Sequence, residues 1–146
     1  MVLNRQLRLQ EQNMIKIFTG NCYKAIANVK ADCEFPERFK SPWEQIEWFN
    51  RYLEDFKKNG IAILTYSPYI LNYLNLLIAK GEIDFDNLEV TEYFYDKMND
   101  FDVAKVDLKI TDKEKGKKMI DTRSLSEPIS YIYDEYNKIT KSKKCV

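Results

Sequence analysis

Ile61-Ala62-Ile63-Leu64-Thr65 is an unbroken apolar run held between two helix boundaries. Before it, Lys57-Lys58-Asn59-Gly60 closes a helix. Basic residues suit the negative C-terminal end of a helix, and glycine suits a left-handed cap. After it, Ser67-Pro68 opens the next helix, where a residue without an N–H is tolerated in the first turn. A strand that is apolar on both faces must be covered on both, which is the situation of a parallel strand inside a sheet. Helix, buried strand and helix in succession make an α/β crossover unit.

The neighbouring segments fit that unit. Residues 43–58 place Ile46, Phe49, Leu53 and Phe56 on one face, with Trp43 and Tyr52 beside them as expected core residues. Residues 68–80 place Leu71, Leu74, Leu77 and Ile78 together. Upstream, residues 14–20 alternate and end at Gly20, as a strand does. Residues 1–13 read as an arm or a short helix.

Downstream, residues 88–95 are rich in aromatic and β-branched types. Ala104, Val106, Leu108 and Ile110 alternate with charged residues. With Met98-Asn99-Asp100 as the turn, the spacing predicts an antiparallel hairpin over about 88–110. Residues 111–118 read as a charged loop or hairpin tip, and 119–121 as a short third strand. Ser124 or Ser126 is then the expected cap of a helix over about 126–139, with Pro128 in its first turn. Leu125, Ile129, Ile132, Tyr136 and Ile139 are its apolar face, and 141–146 a frayed tail. The expected fold class is α/β: one small sheet packed with three amphipathic helices in a single domain over 1–146.

Tyr93, Phe94 and Tyr95 stand in a row. A strand points alternate residues to opposite faces, so the three are hard to bury together. Part of this aromatic surface is expected to be a contact site.

Composition excludes several functions. The 146 residues contain 23 basic and 23 acidic side chains, without the basic excess of a dedicated nucleic-acid or anionic-membrane binder. No run of about 18 apolar residues suggests a membrane span. Cys22, Cys33 and Cys145 are odd in number and lack Cys-x-x-Cys spacing, so reduced thiols in a cytoplasm are expected. There is no histidine, which removes Ser-His and Cys-His catalysis and His-ligated zinc. Of four glycines, only Gly116 precedes a lysine, Lys117. Thr111 and Lys118 then occupy the first-glycine and Ser/Thr positions of a phosphate-binding G-x-x-x-x-G-K-[ST] loop, so that motif fails. Asn21 to Ala25 follow the first strand where a phosphate loop would lie, and read as an ordinary turn.

Two motifs stand in order. Glu34-Phe35-Pro36-Glu37-Arg38-Phe39-Lys40-Ser41-Pro42-Trp43-Glu44-Gln45 resembles the D-E-P-E-x-x-L-H-P-x-x-Q stretch of ABC-type AAA ATPases, the RecF-, SMC- and OLD-like group. Thr65-Tyr66-Ser67-Pro68-Tyr69-Ile70-Leu71 resembles the T-H-S-P-x-x-L switch of the same family. Met119 to Thr122 and Leu125 to Ile129 resemble the strand and helix that follow. The resemblance covers about residues 33–138. Read alone, Ile61–Leu77 is also a plain strand-turn-helix whose Ser-Pro merely starts the helix.

The resemblance implies roles at named positions. Glu34 takes the place of the magnesium-positioning acid. Phe35 takes the place of the catalytic glutamate, and a benzyl group accepts no proton. Tyr66 takes the place of the switch histidine, beside Ser67. Glu37 keeps the acid that follows the first proline of the motif, while Lys40 and Ser41 replace a Leu-His pair. The phosphate loop and the signature helix have no room upstream. These five positions, Glu34, Phe35, Glu37, Tyr66 and Ser67, thus read as vestiges of a nucleotide site, with no cofactor expected.

The resemblance then implies a truncated, catalytically inactive ATPase-like module that works by binding a protein, either itself or an intact ATPase. A phage or mobile-element inhibitor fits that description. One alternative is a half-site that binds ATP and Mg²⁺ once a partner supplies the phosphate loop. Another is a structural assembly component.

Overall fold

The computed structural model describes residues 13–20, 25, 28–96 and 102–144. The fold is α/β. A five-stranded sheet has the order β2-β3-β1-β4-β5, where β1 is Ile15–Gly20, β2 Cys33–Glu34, β3 Ile61–Leu64, β4 Leu88–Asp96 and β5 Asp102–Asp107. The first four are parallel and β5 closes the edge antiparallel to β4. Two shorter strands, β6 Lys109–Asp112 and β7 Lys117–Ile120, form a separate antiparallel pair. The helices are α1 Pro42–Asn59, α2 Pro68–Ala79 and α3 Arg123–Lys144.

The central strand β1 pairs with β3 on one side and β4 on the other. Its Ile15 and Ile17, with Ile63, Leu88 and Val90, face Phe49, Leu53 and Phe56 of α1 and Ile70, Leu71, Leu74 and Leu77 of α2 in one core cluster. The crossover unit α1-β3-α2 therefore forms as its sequence dictates. Ser41 caps α1 by accepting from the Glu44 N–H at 3.2 Å, and Ser67 caps α2 by accepting from the Ile70 N–H at 3.2 Å. Gly60 ends α1 at a φ of 73°.

Gly20 is required by a close approach. Its φ is +117°, and a Cβ there would meet the Tyr93 carbonyl oxygen at 1.9 Å. The β4 backbone lies directly beside it in the sheet.

Several expectations are corrected. Trp43 is 75% exposed and Tyr52 is also exposed, because the apolar face of α1 is already filled by Phe49, Leu53 and Phe56. Residues 104–110 do not form one strand. Leu108 is buried, its N–H bonds the Val90 carbonyl and its carbonyl takes the Asp121 N–H, so the chain changes sheets there. The last helix starts at Arg123 and not at 126. Asp121 accepts the Arg123 N–H, and the Thr122 carbonyl accepts those of Leu125 and Ser126, so Pro128 lies inside the helix. Ile129, Ile132, Tyr136 and Ile139 are exposed, while Leu125 alone of that face packs against the core. The two-residue β2 lies where the sequence carries no strand pattern. The expectations for residues 1–12, 21–24, the 98–100 turn and 145–146 lie outside the described residues.

A side chain fastens the small hairpin to the main body. The Asn75 amide donates to the Ile120 carbonyl at 3.0 Å and accepts the Ile120 N–H at 2.7 Å. It satisfies both backbone groups as a neighbouring strand would.

Candidate functional site

The four parallel strands end on one edge, at Gly20, Glu34, Leu64 and Asp96. From β1 the chain leaves toward β2, but from β3 it crosses back over β1 to β4. Open α/β sheets hold ligands outside the carboxyl ends of their strands, where such connections reverse. The two quoted motifs meet at this edge.

They are joined by a hydrogen-bond network. The Thr65 hydroxyl donates to the Glu37 carboxylate, whose other oxygen accepts the Tyr66 N–H at 3.3 Å. Thr65 Oγ1 also accepts the Ser67 N–H at 3.0 Å. The Ser67 hydroxyl donates to Gln45 Oε1, and Gln45 Nε2 reaches the Lys40 carbonyl at 3.2 Å. Thr65, Ser67 and Gln45 are buried, so each bond removes a polar group that would otherwise be costly to enclose. Glu37 and Gln45 thereby tie the Pro36/Pro42 loop to the turn between β3 and α2. Glu37 and Ser67 stand out in the sequence; Gln45 and Thr65 enter it only as motif positions.

Above this network lie two rings. Phe35 and Tyr66 stack with centroids 5.1 Å apart and planes 26° apart. The Phe35 N–H extends the β2–β3 pairing onto the Leu64 carbonyl at 2.7 Å. Phe35 has a φ of 49° and Phe39 one of 59°, a conformation that costs L-residues about 1–2 kcal/mol. The Arg38 guanidinium sits 5.0 Å from the Phe35 ring centre. Burial, and next the Glu37 charge, raise the Tyr66 hydroxyl above the ordinary tyrosine value, so it stays protonated at neutral pH. Burial likewise pushes the Cys33 thiol up, against the pull of Lys40.

Tyr66 separates two cavities. One, of about 450 Å³, is lined by Phe35, Arg38, Tyr66, Pro68 and Tyr69 and is mainly apolar. The other, of about 510 Å³, lies between Gly20, Tyr66, Glu92, Phe94 and Ser124. Ser124 Oγ donates to Glu92 across its wall at 2.6 Å. The Thr19 hydroxyl at the end of β1 is buried with no hydrogen-bond partner among the described residues.

Glu34 is exposed at the end of β2 and joins no hydrogen bond of this network. Tyr93, Phe94 and Tyr95 are all half-buried, and Tyr93 stacks on Phe18 with centroids 6.3 Å apart. Of the three, Phe94 lines the second cavity. Other aromatic residues are more exposed: Phe39 is 103% exposed, Trp43, Tyr66 and Tyr69 also face solvent, and so do Tyr131, Tyr133 and Tyr136 of α3. No group of three or more potential metal ligands gathers among the described residues. Among those residues, too, no helix is long and apolar enough to cross a membrane. Comparison with protein-family models, with curated proteins and with solved structures found no match.

Proposed function

We propose that this chain is a catalytically inactive ATPase-like domain that acts by binding another protein through the carboxyl edge of its sheet. The observation that carries this reading is the Phe35–Tyr66 stack at 5.1 Å. It occupies the place where the resembled family sets a proton-accepting carboxylate beside a switch histidine. Phosphoryl transfer depends almost wholly on placed charges and metal ions. Here the centre of the edge is two stacked rings, and Glu37 beside them has both carboxylate oxygens committed to Thr65 and Tyr66. Gly20 is explained by the β4 backbone paired beside it and not by an approaching phosphate. The residues present therefore fit ATP and Mg²⁺ poorly, and no hydrolytic step is derived for them.

A binding role fits the same residues. An apolar cavity bordered by Tyr66, Pro68 and Tyr69 lies beside a loop that presents Phe39 and Trp43 to water. The positive φ of Phe39 lies in the turn closed by the Lys40 N–H on the Glu37 carbonyl at 3.1 Å, and it presents the ring to water. Buried aromatic and arginine side chains are the usual anchors of protein interfaces. The partner class is a second copy of this chain or an intact ATPase, with cytoplasmic residence. Calorimetric titration of the chain with ATP and Mg²⁺ tests the reading: the expected result is no binding heat. Saturable binding would favour the half-site, and a large regular oligomer in light scattering would favour an assembly component.

A further inference from the structure

The outer edge of β7 is only partly paired. In an antiparallel hairpin, successive residues turn their backbone groups alternately toward the partner strand and away from it. Ile120 turns its own away from β6, because the Asn75 amide holds both at 3.0 and 2.7 Å. Two residues back, Lys118 does the same: it lies across from Thr111 as Ile120 lies across from Lys109. The Asp121 N–H on the Leu108 carbonyl, at 2.7 Å, fits this alternation. Among the described residues, no side chain does for Lys118 what Asn75 does for Ile120. Lys118 instead borders a groove of about 870 Å³, walled by Asn75, Ile78, Gly81, Phe85 and Met119.

Two cations gather at that groove. The Lys109 ammonium lies 4.6 Å, and that of Lys118 5.8 Å, from the centre of the Phe85 ring. Both lysines stand on one face of the hairpin with Thr111 and Ile120, since strand residues alternate. Neither has an acid as its cross-strand neighbour, and among the described residues neither is in an ion pair. Two cations at one ring repel each other, and the ring offsets only part of that repulsion. The acid in the groove wall, Asp84, has its two oxygens on the Asp86 N–H at 3.0 Å and the Asn87 amide at 3.4 Å. Asp112 stands opposite Lys117, on the other face of the hairpin. On that other face Ile110 and Met119 are also neighbours, and both are exposed.

We propose that β7 takes an extended acidic segment of a partner protein as a third strand at Lys118. The outward N–H and C=O of Lys118 call for a backbone, which an extended peptide supplies. The peptide residue opposite Lys118 points its side chain to the face of Lys118, Lys109 and Phe85, where an aspartate or glutamate meets both ammoniums. The residues on either side of it point to the other face, where an apolar side chain covers Met119. The segment recognised is therefore an acid flanked by an apolar residue. A two-stranded hairpin is marginal by itself, so a third strand also steadies it. None of these residues belongs to the carboxyl edge, and the inference does not depend on what binds there.

Fluorescence anisotropy of a labelled Ser-Val-Glu-Val-Ser peptide, blocked at both ends and titrated with the full chain, tests the proposal. Binding should saturate with a Kd of roughly 0.1–1 mM and weaken with added salt. The same peptide with lysine for glutamate should not bind. N-methylation of the glutamate and of the valine after it removes the N–H needed in either strand direction, and should weaken binding about tenfold with the charge intact. Lys118→Gln, which removes an ammonium, should also weaken binding about tenfold, and Lys118→Pro, which removes the outward N–H as well, should weaken it further. Circular dichroism should stay unchanged in both variants, because the hydrogen bonds between β6 and β7 do not use that N–H. No saturation at about 5 mM chain, or equal binding of the lysine or methylated peptide, would overturn the proposal. So would a doubled mass in light scattering that Lys118→Pro returns to 17.4 kDa, since the edge would then belong to a second copy of the chain.

Discussion

Glu37 holds the backbone of Tyr66 across 29 residues of sequence, accepting its N–H at 3.3 Å while taking the Thr65 hydroxyl on its other oxygen. With Gln45 and the Phe35 N–H on the Leu64 carbonyl, this carboxylate keeps the Pro36/Pro42 loop against the end of β3, and with it the stack of Phe35 on Tyr66. The first prediction concerns that tie. Glu37→Ala should destabilise the fold by about 1–3 kcal/mol, since it leaves the buried Thr65 hydroxyl without its acceptor. Glu37→Gln, which keeps an acceptor oxygen, should cost less. Denaturant midpoints at constant slope measure both; equal midpoints for Glu37→Ala and the unaltered chain would show the tie to be idle.

Gly20 supplies the second. Alanine there combines a φ of +117° with a Cβ placed 1.9 Å from the Tyr93 carbonyl oxygen. The cost should be about 3 kcal/mol or more, because both backbones are fixed by the pairing of β1 with β4. Gly81 and Gly116 meet nothing within 4 Å, so alanine at either serves as the control, with only the strain of a positive φ. Thermal unfolding of the three variants should separate Gly20→Ala from the other two.

The start of α3 gives a pH prediction. The side chain of Arg123 bonds Asp121 at 2.8 and 2.9 Å and holds its carboxyl below the ordinary carboxylate value, against a smaller opposing effect of burial. A carboxyl lowered in the folded state adds stability above its unfolded value, and that stability is lost as pH falls through the folded value. Arg123→Ala should therefore lower the denaturant midpoint near neutral pH and match the unaltered chain at about pH 2. Because the arginine is largely exposed, the neutral-pH difference should be small and should shrink with added salt. A difference that persists in acid would mean that the lost contribution is packing.

Local order was the legible part of this fold. The junction from Gly60 through Ser67-Pro68 could be read because capping, glycine and proline act within a few residues. The order β2-β3-β1-β4 could not, since parallel pairing joins residues as far apart as Ile15 and Leu88 and leaves no local mark. The two residues of β2 are too few to carry a period. Trp43 and Ile132 show the other limit: an amphipathic pattern says which face is apolar, but not whether the molecule's own core or something else covers it. At the candidate site, Glu37 and Ser67 stand out in the sequence as motif positions. Their partners Thr65 and Gln45 needed the structure, because polar residues beside a turn ordinarily face water.

The most direct test of the account is calorimetric titration of the intact chain with ATP and Mg²⁺, run beside a turnover assay on the unaltered chain and on Tyr66→His. A single histidine at position 66 leaves a phenylalanine, Phe35, at the carbonyl end of β2 and adds no proton acceptor in its place. The account predicts no saturable heat and no hydrolysis above buffer in either protein. Saturable binding by the unaltered chain, or turnover by Tyr66→His, would contradict it.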